Sequence, residues 1–142
     1  MSAQLCIQNG RIVLPDRILE GASLICRDGV IVRIQAANPS EAFDQENRDY
    51  GSQCVDAEGA YIAPGFVDLH VHGGGGSDFM DATVDDVVTA CQAHLRHGTT
   101  TLFPTTCTSS RDVIMTMIQA CQWVQANSRS YPDAAQIAGV HL

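Results

Sequence analysis

Two histidines placed two positions apart, His70 and His72, are the residues of this sequence best suited to chemistry. A β-strand sends alternate side chains to opposite faces, so Asp68 and both histidines share one face of a strand here. Two imidazoles at i and i+2 near a strand end can bind one metal ion, each through a ring nitrogen at about 2.0–2.1 Å. We therefore predict a divalent metal site at His70 and His72, with Asp68 orienting an imidazole. An ordinary half-exposed strand is the alternative.

Four glycines follow the two histidines, and glycine lets the backbone turn sharply and approach a ligand closely. Gly73 and Gly74 are therefore candidates for presenting backbone N–H groups to a substrate. A mobile glycine loop without a binding role is the alternative interpretation.

Three more residues are candidates for substrate contact or for support of the metal ligands, namely Thr105, Thr106 and His141. The two threonines end a predicted strand, and active sites of β/α barrels are built at the C-terminal ends of strands. A β-branched strand end with no further role is the alternative. His141 is expected to line the site without contacting the metal. His94 and His97 stand near a helix C-terminus, so we predict that they complement the helix dipole in solvent.

The second part of the sequence alternates strand and helix patterns. The expected elements are a strand at 61–72, a loop at 73–81, a helix at 83–97, a strand at 99–106, a helix from 110 to about 126, and a third strand beginning in 136–142. Thr83 and Ser110 occupy N-cap positions, and Gly98 stands where a glycine commonly ends a helix. Strands and helices in alternation with short connections predict parallel βαβ units.

The first part of the sequence carries short β signals separated by turns. We predict turns at Asn9-Gly10 and Asp28-Gly29 and an exposed polar excursion over residues 37–52. The predicted organisation is a small incomplete β module at 1–60 and a βαβαβ segment at 61–142. A (β/α)₈ barrel needs eight β/α units and about 250 residues, so we expect an α/β chain that forms the front of a longer barrel enzyme.

Composition and the N-terminal sequence argue against several partners, mechanisms and locations. The net charge is −8, which argues against nucleic acid and against an anionic membrane surface. All eight basic residues are arginine, so these 142 residues offer no lysine for a Schiff base or a carbamylated metal ligand, although a longer chain could supply one. The N-terminus shows no secretory signal pattern, and the six cysteines form no Cys-x-x-Cys pair. We therefore expect reduced thiols and a cytoplasmic location.

Four segments carry a family resemblance; they span residues 63–76, 78–81, 94–106 and 139–142. They resemble the amidohydrolase superfamily, and within it the N-acetylglucosamine-6-phosphate deacetylases. The resemblance implies a barrel joined to a small β-sandwich, of which residues 1–60 would be one half. It also implies that His70 and His72 bind one or two divalent ions, with zinc expected. Some members of the family carry Gln and Asn at these two positions and use one metal.

The resemblance further implies the reaction. Water activated by the metal would attack the acetamide carbonyl of an amino-sugar phosphate, releasing acetate and glucosamine 6-phosphate. A metal-binding Glu, two further histidines and an Asp acting as general acid/base are expected after Leu142, so no catalytic acid or base is assigned within these residues. By the same reasoning the 142 residues alone are expected to be inactive, and the longer protein is expected to form a homodimer or a larger homo-oligomer.

Two alternatives stay open at this stage. One is another cyclic amidase of the same superfamily, similar to dihydroorotase or hydantoinase. The other belongs to a different class, a non-catalytic β/α scaffold that keeps the strand and binds no metal productively.

Overall fold

The computed structural model describes residues 4–36 and 53–142, so the polar excursion predicted at 37–52 lies outside the described residues. The chain divides into two compact units, Met1–Pro64 and Gly65–Leu142. The first unit is made of strands in its described part, and the second combines strands with two long helices. The predicted mixed α/β class is therefore confirmed. No helix in the described ranges is long and apolar enough to cross a membrane.

The first unit contains one mixed sheet. Its strands are β1 (Gln4–Val13), β2 (Ile18–Arg27), β3 (Val30–Gln35), β4 (Gln53–Asp56) and β5 (Tyr61–Ile62). The order is β3-β2-β1-β4, and β5 also pairs with β1. Strands β1, β2 and β3 are antiparallel, whereas β4 and β5 run parallel to β1. A small apolar cluster of Ile12, Ala22 and Leu24 forms its core.

One of the two predicted turns in this unit is wrong. Asp28-Gly29 does form the turn between β2 and β3, with both residues at positive φ. Asn9-Gly10 instead lies inside β1 at an irregularity in its pairing with β2. The left-handed Asn9 (φ 56°) donates a side-chain hydrogen bond to Asp56, 2.9 Å away, and a Cβ on Gly10 would lie 2.1 Å from Ile62. Asn9-Gly10 therefore forms a bulge within β1 instead of a turn, and its contacts with Asp56 and Ile62 stabilise that bulge.

The second unit carries the strands and helices that position the histidines. They are β6 (Phe66–Val71), β7 (Gly73–Gly74), β8 (Ser77–Asp78), α1 (Val84–Arg96), β9 (Thr99–Pro104), α2 (Arg111–Ala126) and β10 (Gln136–Ile137). Strands β6, β9 and β10 form a sheet with β9 in the middle, and both pairings are parallel, as predicted from the strand–helix alternation. Helical turns of the 3₁₀ type occupy Phe79–Asp81 and Ser128–Ser130.

Three predicted elements of this region differ from the structure. The single strand at 61–72 is two strands, because Tyr61–Ile62 pairs with β1 and the sheet of the second unit begins at Phe66. Gly65 lies at the break and packs against the side chain of Thr100, where a Cβ would clash. The loop predicted at 73–81 contains the β7–β8 hairpin and a 3₁₀ turn. The third strand is only two residues long, and the chain returns to β9 at His141 through one isolated bridge.

Both helices begin and end where the sequence predicts. The Thr83 side chain accepts the N–H of Asp86 at 3.1 Å, and the Ser110 side chain accepts the N–H of Val113 at 3.4 Å. Gly98, at φ 92°, follows the last residues of α1. The apolar faces of both helices pack with the sheet and the 3₁₀ turn into one core, whose fully buried large side chains include Phe79, Val87, Leu102 and Met117. This core fixes the strand that carries the histidines.

Candidate metal site at the end of the parallel sheet

The predicted site residues meet at one edge of the parallel sheet. His70 lies near the end of β6 and His72 directly follows that strand. Thr105 follows β9 and forms a parallel bridge with His141. Parallel strands end at the same edge of a sheet, and here that edge carries three imidazoles.

The two predicted metal ligands point at each other. Nε2 of His70 lies 3.2 Å from Nε2 of His72, and the two rings meet nearly edge to face at 71°. Two nitrogens that each lie about 2.05 Å from one tetrahedral ion are about 3.3 Å apart. The pair therefore has the spacing of two ligands on a single ion, and both side chains are exposed to solvent. Within residues 4–36 and 53–142, no group of three or more His, Cys, Asp and Glu side chains is arranged to hold a metal.

Asp68 contacts the main chain of one ligand. Its Oδ1 accepts the backbone N–H of His70 at 3.0 Å. The Asp68 carboxylate is thus hydrogen-bonded to the backbone of His70 and not to its ring. It can orient the imidazole only through that backbone.

A cysteine that sequence reasoning did not select contacts the second ligand. Sγ of Cys107 lies 3.4 Å from Nδ1 of His72. An imidazole that binds metal through Nε2 carries its proton on Nδ1, and that N–H usually donates to a nearby acceptor. In the sequence, Cys107 stands two residues after Thr105 at the same strand end, which is the signal that could have identified it.

His141 lies beside His70. The two ring centroids are 4.7 Å apart at 86°, and Nδ1 of His141 lies 3.1 Å from the carbonyl oxygen of Leu69. Because a carbonyl only accepts, Nδ1 carries the hydrogen and donates it. Nε2 of His141 is then the acceptor nitrogen in the neutral ring. His141 is placed to line the site, as the sequence predicts, and its role there stays a prediction.

The two threonines have different surroundings. Thr105 is 3% exposed, and its hydroxyl accepts the N–H of Val71 at 3.0 Å while lying 3.2 Å from the carbonyl of Phe103. The backbone N–H of Thr106 donates to the carbonyl of His141 at 3.0 Å. The hydroxyl of Thr105 is thus engaged with backbone, which leaves no donor of that side chain for a substrate.

Gly73 and Gly74 form the first strand of a small hairpin with Ser77 and Asp78. The carbonyl of Gly73 lies 2.9 Å from Nε2 of His94 on α1. His94 does lie in the last turn of α1, but the prediction that it stands in solvent is wrong, because its ring is partly buried against this hairpin. His94 and Gly73 are 21 positions apart in the sequence, so no local sequence pattern predicts their contact.

The buried cysteines take no part in this site. Burial, followed by the charge of Cys121, raises the pKa of Cys91 from 9.0 to about 12, and burial alone does the same for Cys121. Burial, reinforced by a hydrogen bond with Cys54, raises the pKa of Cys6 to about 12. These thiols stay protonated near neutral pH, where a thiol is a poor nucleophile and a poor metal ligand.

Comparison with known proteins identifies the family. A model of the amidohydrolase family matches residues 61–131, half of the chain. This chain belongs to the amidohydrolase family. The resemblance predicted from the sequence motifs is therefore confirmed, and the matched residues include β6 with His70, the following His72, α1, β9 and α2.

Individual relatives are similar along most of this amidohydrolase chain. An N-acetylglucosamine-6-phosphate deacetylase of Danio rerio is 32% identical over 133 residues, which are 92% of this chain and 30% of that protein. A dihydroorotase of Anaeromyxobacter sp. (strain K) is 34% identical over 73 residues, which are 51% of this chain. The crystal structure of N-acetylglucosamine-6-phosphate deacetylase from Pasteurella multocida has the same fold over 84% of this chain, with a TM-score of 0.69 at 23% identity. The chain spans 30% of the length of either deacetylase.

Proposed function

We propose that this amidohydrolase chain supplies part of the metal centre of an enzyme that removes the acetyl group from N-acetylglucosamine 6-phosphate. The observation that carries the proposal is the 3.2 Å separation of the His70 and His72 Nε2 atoms. The deacetylase relatives support the substrate assignment, because the alignment with the Danio rerio enzyme covers 92% of this chain at 32% identity.

The residues of the chain would act on the metal rather than on the substrate directly. His70 and His72 would hold the ion, and a divalent ion such as zinc would activate water for attack on the acetamide at neutral pH. Cleavage of the amide C–N bond gives acetate and an amine, and that amine needs a proton as it leaves. The carboxylic acid that donates this proton stays a prediction from the family resemblance. One or two ions and zinc as the metal are likewise proposed.

The proposal extends to architecture and setting. We propose that Gly65–Leu142 forms the first part of a (β/α)₈ barrel, since its parallel β6, β9 and β10 with two helices match the expected unit. The sheet of the first unit would be one half of a small β-sandwich. The division at 1–60 and 61–142 stays a prediction, and so do the cytoplasmic location and the formation of homo-oligomers. An amino-sugar phosphate is the predicted small-molecule partner. Nucleic acid and membranes are not predicted as partners.

A dihydroorotase-like activity is the second candidate. It is supported by the dihydroorotase relative, which is 34% identical over 73 residues. That match covers 51% of this chain, whereas the deacetylase match covers 92%. We therefore place the deacetylase first. The non-catalytic scaffold is less well supported, because both imidazoles are retained at ligand spacing.

The test uses the full-length protein. Acetate release from N-acetylglucosamine 6-phosphate is measured beside hydrolysis of dihydroorotate, with zinc supplied. We expect deacetylation, and we expect His70→Ala and His72→Ala each to lower kcat/KM at least 100-fold. His97→Asn is the matched control, because His97 is exposed at the end of α1. Turnover of dihydroorotate alone, or full deacetylation in both alanine variants, would overturn the proposal.

A further inference from the structure

The residue between the two histidines is hydrogen-bonded to Thr105, which directly follows β9. Val71 stands between His70 and His72, and its register partner on β9 is Pro104. The Pro104 carbonyl accepts the N–H of His141 at 2.9 Å, so the backbone polar groups of Pro104 face away from β6. The pairing of β6 and β9 is also irregular between Asp68 and Val71. In a parallel pair of this register the Val71 N–H faces the Phe103 carbonyl and the Val71 carbonyl faces the Thr105 N–H, so Thr105 lies at the last ladder bond beside the metal ligands.

Thr105 bonds both backbone polar groups of Val71. The Thr105 backbone N–H donates to the Val71 carbonyl at 2.8 Å, and the Val71 N–H donates to the Thr105 hydroxyl at 3.0 Å. The hydroxyl hydrogen is then directed to the carbonyl of Phe103, 3.2 Å away. In these three hydrogen bonds, every donor is matched with an acceptor. Thr105 is 3% exposed, so water has little access to replace any of these bonds.

The same residue also connects the third imidazole. Thr105 forms the parallel bridge with His141, in which the His141 N–H donates to Pro104 at 2.9 Å and the Thr106 N–H donates to His141 at 3.0 Å. Nδ1 of His141 in turn lies 3.1 Å from the carbonyl of Leu69 on β6. Thr105 therefore contacts both segments that carry the imidazoles. It is hydrogen-bonded to Val71, between His70 and His72, and it is bridged to His141.

We propose that Thr105 is a positioning residue for the metal site, acting through Val71 on the separation of the His70 and His72 rings; this inference rests on the proposed metal-binding role of those histidines. The hydroxyl fixes the backbone of Val71, and each ligand is attached one residue away from that point. Loss of the hydroxyl removes one acceptor of the buried Val71 N–H and leaves that N–H to the ladder carbonyl of Phe103 alone, so the end of β6 is held less firmly. A change of a few tenths of an ångström at the ring nitrogens is enough to weaken binding, because metal affinity depends on ligand geometry and on the groups that hold the ligands.

The test measures zinc affinity and backbone protection in the full-length protein with three substitutions. Thr105→Val keeps the shape and removes the hydroxyl, and Thr105→Ser keeps the hydroxyl and removes the methyl group. Thr101→Val is the matched control, because it places the same change on β9 at a residue that pairs with Val67. We expect Thr105→Val to weaken zinc binding at least 10-fold and to speed amide hydrogen exchange at Val71. Thr105→Ser is expected to stay within threefold of the unaltered chain, and Thr101→Val to leave zinc binding unchanged.

The outcomes separate this inference from the proposed function. A folded Thr105→Val chain with unaltered zinc affinity would overturn the role of Thr105 and leave the metal site standing. An unaltered full-length protein that binds no zinc would overturn the metal site itself. If Thr105→Val does not fold, Thr105→Cys replaces it, since a thiol is a weaker donor and acceptor than a hydroxyl. Thr105→Cys is expected to bind zinc at least threefold more weakly than Thr105→Ser, and equal affinities would overturn the inference.

Discussion

Replacing Gly73 by alanine tests how closely the glycine hairpin is packed behind the metal ligands. A Cβ at position 73 would lie 2.3 Å from the carbonyl oxygen of Ser77 and 2.8 Å from Cα of Asp78. Both are backbone atoms, so no side chain can swing away. The hairpin must open by about 1 Å, the difference between 2.3 Å and an ordinary contact near 3.4 Å.

The expected cost follows from those distances. Forcing a carbon into a packed site costs about 1–3 kcal/mol. The loss of one or two hydrogen bonds between β7 and β8 adds about 0.5–1.5 kcal/mol each. We therefore expect Gly73→Ala to lower the free energy of unfolding by about 3 kcal/mol. Zinc affinity should also fall, because β7 begins directly after His72 and the carbonyl of His72 accepts the N–H of Phe79 at 2.8 Å.

Gly74→Ala is the matched control. A Cβ there would first meet Nε2 of His94 at 3.0 Å, which is the far end of a flexible side chain. The ring can move, and the cost is limited to its hydrogen bond with Gly73, about 1 kcal/mol. The assay is urea unfolding followed by circular dichroism and by Trp123 fluorescence, with zinc titration of the folded chains. Equal stability and equal zinc affinity in the two variants would refute this account of the hairpin.

The remaining predictions concern thiols and a helix cap. Exposed Cys54 and Cys107 should react with iodoacetamide at pH 8 well before buried Cys91 and Cys121, and peptide mass spectrometry reads the order. Because burial raises the pKa of Cys121 from 9.0 to about 12, its thiol favours the folded state below pH 9 and loses that contribution as pH rises from 9 to 12. Cys121→Ala should therefore flatten the alkaline fall in unfolding free energy, and an unchanged slope would contradict this. Thr83→Ala removes the acceptor for the Asp86 N–H and should cost about 1 kcal/mol in urea unfolding; no measurable loss would count against the cap.

Local patterns predicted much of the fold, and the reasons are physical. Thr83, Ser110 and Gly98 mark helix ends because caps depend on residues within one turn. The Asp28-Gly29 turn is local in the same sense. The bulge at Asn9 was not predicted, because it depends on a hydrogen bond to Asp56, 47 positions away. The break between β5 and β6 likewise depends on which sheet each segment joins, and that choice is made by long-range pairing.

The candidate site divides in the same way. The period of two in a strand was enough to bring His70 and His72 to one face, since both lie on one element. His141 came close to them because parallel strands share an edge. The contact of Cys107 with His72 and that of His94 with Gly73 arise between elements, at ring orientations that no spacing rule specifies. The burial of the Thr105 hydroxyl depends on Pro104 as the partner of Val71, a register that the sequence pattern does not define.

X-ray absorption at the zinc edge, recorded on the chain loaded with one equivalent of zinc, tests the central claim most directly. The account predicts two imidazole nitrogens at about 2.0–2.1 Å from the metal, and loss of that signal in the His70→Ala and His72→Ala variants. A spectrum dominated by sulfur near 2.3 Å, or one unchanged by both substitutions, would show that zinc binds elsewhere and would contradict the account.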